Sequence, residues 1–165
     1  MDTPVYKRVL LKLSGEAISN GKDGILNFDY IHEIANTIKK CVDNGVEVAV
    51  LVGAGNIWRG RSGGDMDRVK ADHMGMLATC INALALQETF IRVGIDAEVM
   101  TSVEMNAFAK QFVRDDAIKS LSNGKVVIFG GGIGIPFVST DTASVVRAAE
   151  IGAEVVLMAK NVDAI

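Results

Sequence analysis

Apolar residues follow two rhythms along this chain, short unbroken runs and longer stretches at helical spacing, and the two alternate. "RVLLKL" (Arg8–Leu13) is a short apolar run that ends in "SGE". From Phe28, "FDYIHEIANTIKKCVDNG" puts Ile31, Ile34, Ala35, Ile38, Cys41 and Val42 on one helical face. Asp29 is the expected N-cap and Gly45 the stop. "VEVAVLV" (Val46–Val52) is apolar except at Glu47, the pattern of a parallel strand covered on both faces. A glycine-rich loop follows, to about Asp67. The spacing then predicts a long helix from Asp67 to Val93, with Met74, Leu77, Ala78, Ile81, Leu84, Ala85 and Ile91 as its buried face. Gly75 interrupts it at a cost of about 1 kcal/mol against alanine, which points to close backbone approach. "DAEVMTS" reads as the next strand, "DDAIKSLSNG" as a helix, and "KVVIFGGGIG" as a strand with its loop. "TDTASVVRAAEIG" reads as a helix and "AEVVLMA" as the last strand.

Repeated βα units predict an α/β fold, a mostly parallel sheet with helices on both faces, in a single domain over residues 1–165. Ligands of such sheets bind beyond the carboxyl ends of the strands. The loops at issue are therefore Ser14–Asn27, Gly53–Gly64, Ser102–Asn106, Gly130–Thr140 and Lys160–Ile165.

Composition narrows the picture modestly. Hydrophobic residues are 49% of the chain and aromatics 5%, so the core is mainly aliphatic. A net charge of −3 without any run of like charges argues against a nucleic-acid partner. Cys41 and Cys80 lack metal or redox spacing and read as reduced, small buried hydrophobes of a cytoplasmic protein. With no signal peptide and no run of about 18 uncharged apolar residues, no membrane span is expected.

The chemistry concentrates in two glycine-rich loops, "GAGNIWRG" and "GGGIGIPFVSTD", each following a buried strand. Neither meets the P-loop pattern, and both fail the dinucleotide fingerprint, at Trp58 and at Ile135. Their glycines still let backbone amides approach a phosphate. Lys12 stands near the end of an apolar strand, where a cation is costly unless an anion meets it. The plainer alternative is an exposed edge-strand lysine. Arg59 is the matching cation on the second loop, able to grip phosphate through two N–H groups, or else simply solvated. Asp141 follows Ser139 and Thr140 at a helix start, where it caps the helix or orients a lysine. Asp72, in a largely apolar helix segment, suits a ribose hydroxyl or a base N–H, or else faces solvent. Trp58 is assigned to packing. His32 and His73 form no metal site with each other or with the cysteines. These residues describe phosphoryl transfer by positioning and charge stabilisation.

Five stretches, "YKRVLLKLSGEA", "GAGNIWRG", "DHMGMLAT", "PFVSTDTAS" and "LMAKNVDA", resemble the bacterial uridylate (UMP) kinases of the amino-acid-kinase fold family. The resemblance runs from about Val5 to Ile165. "DHMGMLAT" is specific to the UMP kinase branch, whereas "KLSG" is shared with carboxylate and carbamate kinases. It implies a three-layer sandwich and transfer of the ATP γ-phosphoryl to UMP, with Mg²⁺ accompanying ATP. Catalytic roles fall to Lys12, Arg59 and Asp141. ATP contacts fall to Lys12, Leu13, Ser14, Gly15, Gly55, Arg59 and Lys160. UMP contacts fall to Gly53, Ala54, Asp72, Ile133, Gly134, Ile135, Pro136, Phe137, Val138, Ser139 and Thr140. The resemblance also implies a hexamer packed through its long helix and regulated by GTP and UTP. The family more often has three glycines where this chain has "GAG". It also continues beyond "NVDAI" to complete the ATP site, so residues 1–165 read as the acceptor portion and the start of the ATP portion of a kinase. A carboxylate or carbamate kinase of the same fold, and a nucleotide-binding module lacking turnover, are the alternatives.

Overall fold

A computed structural model describes residues 4–19, 24–59 and 63–159. The elements in chain order are β1 (Arg8–Leu13), α1 (Gly15–Ser19), α2 (Phe28–Asp43), β2 (Glu47–Val52), α3 (Arg68–Arg92) and β3 (Ala97–Thr101). They continue with β4 (Lys110–Gln111), α4 (Arg114–Ser122), β5 (Val126–Gly130), α5 (Thr140–Ile151) and β6 (Val155–Ala159). The strands form one sheet in the order β4-β3-β5-β2-β1-β6, and every pairing is parallel.

Strand alternation builds the two faces. Along β2, Val48, Val50 and Val52 point to the layer containing Ile31, Ala35 and Ile38 of α2 and Ala83, Leu86 and Phe90 of α3. Ala49 and Leu51 point the other way, to Ala117 and Leu121 of α4 and Ala143, Ala148 and Ile151 of α5. The run is apolar throughout because both faces are covered.

Several local expectations change. The N-cap of α2 is Asn27, whose side chain accepts the Tyr30 N–H; Asp29 lies inside the first turn. Part of the expected Ser14–Asn27 loop is helical, as α1. Two-residue β4 carries no apolar pattern and went unread. Cys41 is exposed rather than buried, while Cys80 is buried as expected. The largest correction concerns α3. Met74, Leu77, Ile81 and Ile91 were expected to be buried, yet all four are exposed. Ala78 is buried as expected and Leu84 and Ala85 partly so, but the rest of the buried side is Ala71, Thr79, Cys80, Asn82, Ala83, Leu86, Thr89 and Phe90. The helix is apolar nearly all round, so periodicity could not fix its phase. By length and composition alone α3 would suit a bilayer. Its packing against β5, β3 and α2 makes it a core helix of this fold.

Candidate active site

Three adjacent strands, β5, β2 and β1, deliver their carboxyl ends side by side. The Gly53 N–H donates to the Leu13 carbonyl at 2.8 Å, which locks the β1 and β2 exits together. Gly15 packs directly on the second loop. A Cβ there would lie 2.4 Å from Asn56 Oδ1 and 2.5 Å from the Gly55 amide nitrogen, so only glycine fits. A Cβ on Gly53 would meet the Gly15 amide nitrogen at 3.3 Å and Thr140 Oγ1 at 3.5 Å. The loop after β1, the loop after β2 and the start of α5 thus converge at one point.

Lys12 belongs to this junction. β1 is an internal strand, paired with both β2 and β6, so the edge-strand alternative falls away. Alternation puts Lys12 on the same face as Leu10, beneath α5, and only 5% of it is exposed. Its Nζ meets Asp141 Oδ1 at 2.9 Å. Ser139 is the N-cap of α5 and accepts the Thr142 N–H. Because Ser139 does the capping, the Asp141 side chain is left to hold the lysine. Asn82, buried in α3, braces the second loop by donating to the Gly53 carbonyl at 2.7 Å.

Beside the junction lies a cavity of about 220 Å³, lined by Ala54, Gly55, Trp58, Arg59, Asp72, Gly75, Met76, Thr79, Gly131, Gly132, Ile133, Ile135, Val138 and Thr140. Both glycine-rich loops contribute to it. Arg59 stands at its margin, mostly exposed, in an ion pair with Glu16. Trp58 forms a wall and is tethered through Nε1 to the Ala71 carbonyl at 2.9 Å. A Cβ on Gly75 would make only ordinary contact, 3.9 Å from Trp58 Cδ1, so the protein's own packing does not demand that glycine.

Asp72 is already engaged. Its Oδ1 accepts from Arg68 Nε at 2.9 Å and its Oδ2 from the Phe137 N–H at 2.8 Å. Partial burial works against its charge, but the Phe137 amide and the Arg68 guanidinium outweigh that and hold its carboxyl below the usual range. The amide bond pins Phe137 at a φ of 66°, a left-handed conformation costly for a bulky residue. Asp72 therefore shapes the glycine-rich loop after β5 as well as facing the cavity.

Not every expected residue lines the cavity. The Leu13 side chain is in the core and offers a ligand nothing beyond its backbone. Gly134 packs on Ser102, with a Cβ position 3.2 Å from Ser102 Cβ. Pro136, Phe137 and Ser139 are not among the residues that line it, and Lys160 lies outside the described residues. Thr79, Asn82, Ser102 and Glu16 went unread. A threonine and an asparagine at buried helix positions are a signal of polar bracing, but α3's uncertain phase hid it.

A buried cation held by a carboxylate, where the loops after β1 and β2 meet the start of α5 and without a P-loop, is the chemistry of an α/β phosphotransferase. The chain belongs to the amino acid kinase family, whose model matches residues 7–165. Within it, the structure is similar to UMP kinase from Bacillus anthracis, with a TM-score of 0.92 and 44% identity, covering 97% of this chain and 67% of that one. It is also similar to UMP kinase from Ureaplasma parvum, with a TM-score of 0.89 and 33% identity, covering 94% of this chain and 66% of that one. The chain thus spans about two thirds of the length of these relatives.

Proposed function

We propose that this protein transfers the γ-phosphoryl group of ATP to a phosphate oxygen of UMP, giving ADP and UDP for pyrimidine nucleotide biosynthesis. The observation that carries the reading is the buried Lys12, fixed by Asp141 where the loops of β1 and β2 meet. Similarity to two UMP kinases favours UMP over a carboxylate or carbamate acceptor. The acceptor oxygen is already ionised near neutral pH, so no general base is needed. The bond from the γ-phosphorus to the bridging oxygen breaks, its electron pair leaves with ADP, and the new bond forms to UMP. What remains is to hold two polyanions together.

Lys12 meets the γ-phosphoryl group, since an ammonium has three N–H donors and Asp141 takes one of them. Asp141 orients Lys12. Ser14, Gly15 and Gly55 present backbone to the ATP phosphates, with Leu13 behind them, and Arg59 exchanges Glu16 for phosphate. Gly53, Ala54, Asp72 and the segment 133–140 enclose UMP, whose base lies against Ile133, Ile135 and Val138. Among the described residues no three His, Cys, Asp or Glu side chains gather to cage an ion. A Mg²⁺ carried in by ATP needs no such cage, because phosphate oxygens and water supply most of its ligands. It would draw charge from the phosphoryl oxygens.

The exposed stripe Met74, Leu77, Ile81 and Ile91 on α3 supports a homo-oligomer, a hexamer in this reading, formed through that helix. The protein works in the cytoplasm, with GTP and UTP as effectors. The roles are tested by Lys12→Ala and Arg59→Ala. Each is expected to slow turnover at least about tenfold with the fold intact. Wild-type rates in both would sink the assignments.

A further inference from the structure

Two buried polar residues of α3 take no part in the phosphoryl transfer proposed above. Thr79 is 3% exposed and Asn82 is 0% exposed. They lie three residues apart, on neighbouring turns of one helix face. Thr79 Oγ1 donates to the Met76 carbonyl at 2.6 Å and accepts the Gly131 N–H at 2.7 Å. Asn82 Nδ2 donates to the Gly53 carbonyl at 2.7 Å and to Asn56 Oδ1 at 2.8 Å. The Asn56 amide returns a bond to Asn82 Oδ1 at 3.0 Å. Gly53 is the residue after β2 and Gly131 the residue after β5, so both glycine-rich loops are tethered by side chain to the same helix, at their first residue.

We infer that Thr79 and Asn82 are positioning residues that set the spacing between the two glycine-rich loops, Thr79 holding the loop whose residues 133–140 enclose UMP. The identity of the ligand rests on the proposed function; the tethers rest on geometry alone. A loop such as Gly131–Gly134, with left-handed φ at Gly131, Gly132 and Gly134, has little intrinsic preference for one shape. A cradle without that preference must be ordered each time a ligand binds, which weakens binding. A hydrogen bond from a packed helix supplies the order in advance. The Thr79 bond also covers the Gly131 N–H, and leaving such a donor buried without a partner costs more than the bond is worth.

The Thr79→Val variant keeps the shape and removes the hydroxyl, while Thr79→Ser restores it. In the ligand-free protein, amide exchange at Gly131 is expected to speed up at least about tenfold in the valine variant and to return in the serine variant. In a coupled ADP-release assay, the KM for UMP is expected to rise about tenfold, with the KM for ATP changed less than about twofold. A residue that only stabilises the fold would lower Tm and leave that ratio of KM values alone. Unchanged Gly131 exchange, or an unchanged KM for UMP in folded Thr79→Val protein, overturns the inference. Thr79→Ala, which has no acceptor for the Gly131 N–H, carries the same comparison, with the same outcomes, if the valine variant does not fold. Failure of the proposed function reads differently. Wild-type protein would then show no UMP turnover, which overturns that reading and the ligand named here, whereas wild-type UMP turnover with an unaltered Thr79→Val overturns this inference alone.

Discussion

At Lys12 the demands of stability and of function oppose each other, and Lys12→Met separates them. Lys12 Nζ lies 2.9 Å from Asp141 Oδ1, with 6% of the lysine side chain and 44% of the aspartate side chain exposed. At an effective dielectric of about 20, charges at that separation attract by about 6 kcal/mol before desolvation is counted. Stripping water from the ammonium cancels most of this, and solvent on the Asp141 side screens more. The net contribution is about 0–2 kcal/mol. Methionine of similar length, beside Leu10 beneath α5, removes the desolvated charge, while the Asp141 side chain is already 44% exposed to water. Stability is expected to stay level or rise by up to about 2 kcal/mol, moving Tm upward by about 2–4 °C per kcal/mol. Turnover is expected to fall by about 10²–10³, the usual effect of losing one donor that stabilises developing charge. Asp141→Asn shifts the fold the other way. It leaves Lys12 desolvated without its counter-charge, costing about 1–3 kcal/mol, and lowers turnover about tenfold. Thermal unfolding and coupled ADP release read both variants. A Lys12→Met protein that unfolds earlier while keeping wild-type turnover would refute the reasoning.

Other substitutions test neighbouring parts of the site. Gly15→Ala drives a methyl into Asn56 and the Gly55 backbone, so a loss of about 2–4 kcal/mol by denaturant unfolding, with failing activity, is expected. Asp72 has its carboxyl held below its usual value of 3.8, so its bonds stabilise the fold above that pH and are lost as pH falls through the lowered value. The stability gap between wild type and Asp72→Asn, about 1 kcal/mol given the half-exposed Arg68, should therefore stay constant from about pH 5 to 9 and close only in stronger acid. Ile81→Glu places a charge on the exposed stripe of α3. On the proposed assembly through this stripe, it is expected to lower the sedimenting mass relative to wild type while leaving Tm within a few degrees; an unchanged mass would count against that assembly.

Much of this arrangement was legible in advance, for physical reasons that also explain the gaps. β2 announces itself because a strand covered on both faces must be apolar at every position, and Val46–Val52 admits only Glu47. Because strands joined by helices in an α/β sheet run parallel, both glycine-rich loops then fall at one end without further information. Lys12 stands out as a charge in an apolar strand, and the structure supplies its partner in Asp141. Helix α3 is where pattern reading fails. Leu77 and Ile81 are as apolar as Leu86 and Phe90, and only the sheet decides which side is covered. That error concealed Thr79 and Asn82, which look like interruptions of an apolar face until their partners Gly131 and Gly53 are seen. Pairings between loops, such as Arg59 with Glu16, are set by tertiary packing and leave no periodic trace.

The acceptor that takes the phosphoryl group decides the function. Coupled ADP release from ATP, measured side by side with UMP, CMP, aspartate, glutamate and carbamate, asks this directly. Turnover with UMP well above every non-nucleotide acceptor, with UDP recovered as product, is the predicted result. ADP release driven by a carboxylate or by carbamate, with none driven by UMP, would contradict it.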